Sequence, residues 1–151
     1  MRRRPAETSG TIGGVFDQDV VDDYWEHWRL FRGSRADRLE AQKRNVSVEV
    51  LYDSVQEGGP GVIELLVALA EAAPSDDDAG LVGAGPLENL LSLHGSRLAT
   101  ADGSALLDVI DTAARRSPRF RCALRSAYMG DEVPASVRTQ LRRFVGGEDH
   151  R

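Results

Sequence analysis

An all-α fold is what this sequence predicts, and three observations carry it. Apolar residues recur at spacings of three and four along the long windows, glycine and proline punctuate those windows at short intervals, and no alternating segment has a second one to pair with. The spacing predicts six to seven short helices in an irregular helical bundle, or alternatively a short HEAT-like stack of antiparallel helix pairs. A stack calls for a self-similar period, and the sequence has none, so the bundle is preferred. The expected organisation is a flexible N-terminal arm over 1–15, a single all-α domain over 16–145 and a frayed tail over 146–151.

The first helix is expected from near Asp17 to Phe31, stopped by Gly33. Val21, Tyr24, Trp25, Trp28 and Phe31 form its apolar stripe, and Asp17, Asp19, Asp22 and Asp23 crowd its opening turns, where the helix dipole favours negative charge. The next helical region covers Ala36 to Glu57 and ends at Gly58, Gly59 and Pro60, with Val48, Leu51, Tyr52 and Val55 inward. Val46, Val48 and Val50 alternate as a short strand would, but the longer window keeps helical period. Asn45 and Ser47 mark a point where the region can divide in two. Gly61 to Ala73 is the most apolar segment, interrupted only by Glu64 and Glu71. Its apolar residues cover more than one face, which predicts a central helix packed on two sides and ended by Pro74.

Ser75-Asp76-Asp77-Asp78 suits a cap before a short turn leading to Leu81 and Val82. Gly83 to Pro86 then reads as a break. Proline fits a first helical turn, where the amide hydrogen it lacks would be unpaired anyway, so a helix is expected from Pro86 to about His94, ended by Gly95. After a weakly patterned stretch from Ser96 to Ser104, a helix from Ser104 to Arg116 turns Leu106, Leu107, Ile110, Ala113 and Ala114 inward. Ser117-Pro118 is an N-cap followed by an N1 proline. It starts a helix expected through Met129, with Phe120, Ala123, Leu124, Ala127 and Tyr128 on its core face and Gly130 as its stop. Pro134 starts the last helix, which buries Val137, Leu141 and Phe144.

Composition bounds the rest. At 151 residues, 41% hydrophobic and 28% charged, the chain suits one globular domain with an adequate core. The single cysteine, Cys122, excludes an internal disulfide and fits a reducing compartment. No segment approaches the roughly 20 apolar residues of a membrane helix. Behind Arg2, Arg3 and Arg4 the chain is polar and not apolar, so no conventional signal peptide is expected, and the expected location is cytoplasmic. The net charge of −5 argues against nucleic acid as a partner of the whole surface. Lys43 is the single lysine among 19 basic residues, a bias that a GC-rich genome explains.

Candidate chemistry is sparse. Asp19, Asp23 and His27 rise along one edge of the first helix at i, i+4 and i+8, a carboxylate and imidazole row that seeds a metal site only if a second helix supplies ligands. A solvated acidic helix start accounts for the same row. His150 sits in the tail, and His94 is expected to close its helix, where a cationic ring suits the dipole. Cys122 stands among Arg119, Arg121 and Arg125, whose charge favours a thiolate, yet it also borders the apolar side of its helix as a small hydrophobe does. Arg115, Arg116, Arg119, Arg121 and Arg125 form a basic run without a compensating acid in sequence, extended by Arg138, Arg142 and Arg143 if the last helices are neighbours. This run is the leading candidate for an anion or partner site. Gly83-Ala84-Gly85 lacks the Lys-Ser/Thr ending of a phosphate loop, and Leu87-Glu88-Asn89-Leu90-Leu91 fits an LxxLL string that any amphipathic core helix produces.

Three stretches together carry a resemblance: Asp23-Tyr24-Trp25-Glu26-His27-Trp28, Gly83-Ala84-Gly85-Pro86-Leu87-Glu88-Asn89-Leu90-Leu91, and Ser117-Pro118-Arg119-Phe120-Arg121-Cys122-Ala123-Leu124. In that order the chain resembles a family of small bacterial proteins classed only as a domain of unknown function. The turn-helix there usually reads Gly-Ala-Gly-Pro-Leu-Glu-Asp-Leu-Leu, and the later stretch Asp-Pro-Arg-Phe-Arg-Arg-Ala-Leu. Asn89, Ser117 and Cys122 depart from that pattern. The resemblance spans roughly Asp17 to Phe144; it implies a helical fold and no activity, cofactor or catalytic residue.

The function expected is a non-enzymatic protein-interaction or regulatory module with no cofactor, no membrane and a protein partner. Two alternatives stand beside it. A metal-dependent hydrolase-type enzyme would use Asp19, Asp23 and His27, and a phosphate or nucleic-acid binder would use the Arg115 to Arg143 region.

Overall fold

The computed structural model describes residues 18–43, 46–98 and 104–144. The expected arm over 1–15 and tail over 146–151, with Asn45, Gly103 and His150, lie outside the described residues. Among the described residues nine α-helices and one π-helical turn follow in order: α1 (Gln18–Phe31), α2 (Arg35–Lys43), α3 (Val46–Glu57), α4 (Pro60–Ala72), α5 (Asp76–Val82), the π turn (Gly83–Leu87), α6 (Glu88–Leu98), α7 (Ser104–Arg116), α8 (Pro118–Ser126) and α9 (Ala135–Arg142). No strand occurs among the described residues, and Val46 to Leu51 is helical. The count exceeds six to seven because the Ala36–Glu57 region is two helices, α2 and α3, and because α5 is a helix in its own right.

The centre is α4, as its two-sided apolarity predicts. Ile63, Leu66, Leu69 and Ala70 are fully buried, and the helix packs against α1, α5, α7 and α8. Pro60 opens it, and it ends where Pro74 forces the preceding Ala73 into an extended conformation. Ser75 then caps α5, its hydroxyl accepting the Asp78 amide hydrogen at 3.1 Å.

The expected break at Gly83–Pro86 is absent: α5, the π turn and α6 form one continuous rod from Asp76 to Leu98. In α-helical geometry the Pro86 ring would press on the carbonyl four residues back. The chain widens instead, and the Glu88 amide reaches the Gly83 carbonyl five residues back. Gly83 is a contact point and not a stop. A Cβ there would stand 1.7 Å from the Ala123 carbonyl oxygen, so α8 lies with its backbone directly on the rod. Gly95 does not end α6 either; a Cβ there would stand 2.7 Å from the Glu132 oxygen, where the segment before α9 crosses.

His94 therefore does not cap its own helix. It is buried inside α6, and its Nε2 lies 2.9 Å from the carbonyl oxygen of Val55, near the end of α3. A carbonyl only accepts, so Nε2 carries the hydrogen and Nδ1, 3.2 Å from an Arg97 guanidinium nitrogen, accepts. The ring caps a neighbouring helix, satisfying one of the carbonyls that α3 leaves unpaired at its C-terminus. It lies against Gly58, which turns the chain out of α3 with a φ of 71°.

Two further expectations shift. The α8 helix stops at Ser126 and not at Met129; Ala127 and Met129 stay buried from an extended segment while Tyr128 points outward, 70% exposed. On α1, Val21 and Tyr24 are buried and Trp25 and Trp28 pack partly against the core, but Phe31 is 47% exposed. Burial pushes the Tyr24 phenol up to about 12.

Candidate functional site

The outer face of α4 stays partly open. Where α7 packs beside it the two helices leave a groove of about 480 Å³, floored by Ile63, Val67, Val109 and Ala113. Val67, Val109 and Ala113 are only partly buried, each backed by the core and bare toward the groove. The spacing of Ile63 and Val67 on one wall and Val109 and Ala113 on the other is the i, i+4 repeat that aligns side chains along a helix. From Glu64 to Glu71 the α4 wall runs about 10 Å at 1.5 Å per residue. Glu64, Glu71 and Asp108 stand around the apolar floor, with Arg116 the single cation of the rim among the described residues. None of these four makes an ion pair or side-chain hydrogen bond among the described residues.

A second cleft, of about 620 Å³, opens between α1 and the junction of α4 with α5, walled by Trp25 and Trp28. Its polar groups are already engaged. Arg32 bonds Asp78 at 2.6 Å and lies over the Trp28 ring, Arg29 bonds Glu26 at 2.6 Å, and the Trp25 indole nitrogen donates to the Leu69 carbonyl at 2.9 Å. The Glu26 carboxylate also raises the Arg29 guanidinium further above its usual range. This cleft is a structural joint tying α1 to α4 and α5.

The sequence-derived candidates fall out differently. No three His, Cys, Asp or Glu side chains among the described residues are grouped so as to hold a metal ion, so the Asp19, Asp23 and His27 row gains no partner ligands. The His27 ring stacks on Phe31 and meets Trp28 edge-on, with its Nδ1 buried and lacking a hydrogen bond among the described residues. Cys122 is half-buried against the core, 3.8 Å from an Arg125 guanidinium nitrogen. Leu87, Leu90 and Leu91 are wholly buried, so the LxxLL string is core.

The basic run does have compensating acids, Asp76 from a distant stretch of chain and Asp111 from the preceding turn of α7. Arg119 bonds Asp76 at 2.9 Å and the Ala73 carbonyl at 2.7 Å, pinning the link between α4 and α5. Arg115 and Arg143 grip the two carboxylate oxygens of Asp111, each at 2.9 Å, and both lie against the Phe144 ring. Arg121 caps the end of α7 through the Ala114 carbonyl at 2.7 Å. Arg138 presents a buried Nε without a partner among the described residues. Arg116 alone of the five central arginines faces the groove.

Arg115, with Arg143 behind it, holds the Asp111 carboxyl below its usual range. A carboxyl whose folded value is depressed stabilises the fold above its unfolded value and loses that contribution as pH falls through the depressed one. The melting-temperature gap between the wild type and Asp111→Asn is therefore expected to be full at neutral pH and to close in strong acid. A gap of constant size across that range would contradict the clamp.

The groove residues Glu64, Val67, Glu71, Asp108 and Val109 were not sequence candidates. A signal existed: two glutamates seven positions apart, with Val67 between them, interrupt an otherwise apolar helix and mark its one uncovered stripe. No family model, curated protein or solved structure matches this chain.

Proposed function

We propose that this protein is a non-enzymatic docking module that seats a protein partner in the groove between α4 and α7. The observation carrying the reading is that groove: an apolar floor on the central helix, rimmed by charged groups that make no ion pair among the described residues. Apolar surface with a polar rim is the anatomy of a protein-binding patch. The reading places the module in a bacterial cytoplasm, among the small helical proteins that the Gly83–Leu91 and Ser117–Leu124 stretches resemble.

The test is site-specific crosslinking. A photoreactive residue replaces exposed Thr112 on the groove rim and, as a control, exposed Asn89 elsewhere on the rod. In a lysate of the source cell, one discrete protein adduct is expected from position 112 and not from 89. Val67→Gln with Val109→Gln should reduce its yield about tenfold, because removing two apolar contacts costs roughly 1–2 kcal/mol of association. Equal adducts from both positions, or none from 112, would refute the docking reading.

A further inference from the structure

We infer that the occupant of the α4–α7 groove is a short amphipathic helix whose apolar stripe is flanked by lysine or arginine. The inference rests on the docking reading and adds the chemistry of the partner. Three features select that class.

Shape comes first. Both walls are helices, with groove-facing residues at 63, 64, 67 and 71 on one and at 109, 113 and 116 on the other. The trough between two packed helices accepts a third through interdigitated ridges. A floor of Ile63, Val67, Val109 and Ala113 calls for aliphatic side chains at i, i+3 or i+4, and i+7, as in helix-in-groove recognition. An extended strand would need backbone hydrogen-bond partners, and helix walls offer none, since their amides and carbonyls are paired within α4 and α7.

Charge comes second. The rim holds Glu64, Glu71 and Asp108 against Arg116. Nearby the fold matches its charges internally: Asp111 of α7 takes Arg115 and, from beyond α9, Arg143, and Asp76 of α5 takes Arg119 of α8. Among the described residues the groove carboxylates have no such cation. A partner with basic flanks satisfies them, while an acidic partner would meet like charge at three positions.

Polarity of the floor comes third. The floor residues Ile63, Val67, Val109 and Ala113 are apolar and the Ser117 hydroxyl beside them is taken by the Phe120 amide, which leaves Thr112 as the one uncharged polar side chain of the described lining and a surface suited to apolar groups over a sugar or a nucleobase. The acidic rim repels all polyanions.

The experiment is a selection from a displayed library of helix-forming peptides against the intact chain, followed by binding measurements on the synthesised winners. Winners are expected to carry the apolar stripe with flanking Lys or Arg and to weaken at least tenfold on the Val67→Gln, Val109→Gln variant. They should weaken about as much on Glu64→Lys, Glu71→Lys, Asp108→Lys, and the loss caused by charge reversal should shrink as salt rises. Circular dichroism melts of both variants check that the fold is intact; all five positions are exposed or half-buried. Groove-dependent winners that are acidic, neutral or non-helical would overturn the inference while leaving the docking reading standing. A chain that self-associates through the same residues would likewise overturn it, since a second copy would then be the occupant. Winners indifferent to the Val67→Gln, Val109→Gln change would remove both.

Discussion

Gly83→Ala is expected to destabilise the protein by about 3 kcal/mol or more, the upper range for forcing extra volume into a packed interior. The added methyl would stand 1.7 Å from the Ala123 carbonyl oxygen and 2.5 Å from its carbon, both backbone atoms. A flexible side chain can swing aside from such an overlap, but backbone inside α8 moves only with the whole helix. That helix carries wholly buried Phe120 and almost fully buried Leu124, so shifting it opens the core on both sides. Chemical denaturation should show a lower midpoint with an unchanged slope. Two neighbours calibrate the effect. Gly59→Ala meets nothing within 4 Å, and Gly85→Ala meets only the Tyr52 hydroxyl at 3.2 Å, so both are expected to change stability by less than about 1 kcal/mol. A Gly83 variant as stable as the Gly59 one would mean that α8 does not rest on the rod.

His94→Ala is expected to cost about 3 kcal/mol, read as a fall in melting temperature of roughly 6–12 °C for a domain of this size. Two losses combine. The Val55 carbonyl loses the donor that satisfies it at 2.9 Å in a buried place, and the vacated ring leaves a void between α3 and α6. His94→Gln separates them, since its side-chain amide restores a donor near the same point. Recovery of about half the stability with Gln and none with Leu would assign that half to the hydrogen bond. Equal stability for Gln and Leu would reduce His94 to a space-filler and remove its role as a cap for α3.

How much of this was legible can be traced residue by residue. Most caps were: Ser75 and Ser117 each accept the amide hydrogen three residues on, and Pro118 opens its helix, whereas Pro60, expected to close the region before it, opens α4 instead. The burial of α4 was legible as well, because an all-round apolar helix has nowhere else to go. What local sequence could not tell was why a glycine is present. Gly83 and Gly95 resemble the helix-stopping Gly33 as letters, yet each admits a backbone that lies far away in sequence. Histidine misled for the same reason: the partner of His94 is 39 positions back, beyond any window that capping rules inspect. The basic run looked uncompensated because Asp76 belongs to a different stretch of chain, and because Asp111 serves Arg143 as well as its helical neighbour Arg115. The groove was hidden because it is a property of two helices together; Val67 and Val109 are ordinary core letters until the packing leaves them half bare.

The π turn sets the phase of everything that follows it. An α-helix advances about 100° per residue, so one residue more or fewer in a continuous rod rotates all later side chains by that angle. The ring closed between Gly83 and Glu88 holds one residue more than an α turn would. Read as an angular offset, that surplus residue is what aims Leu90, Leu91 and His94 inward on the same rod whose first half already buries Asp78, Ala79 and Val82. Removing exposed Ala84 would take the surplus residue out of the turn, while the Pro86 ring would then press on the carbonyl four residues back. It would also turn the whole of α6 out of register with its neighbours, swinging the His94 ring away from α3 and the Gly95 notch away from the chain that crosses it. In this rod the imperfect turn is the gearing between two halves, and a straighter helix would be the damaged one.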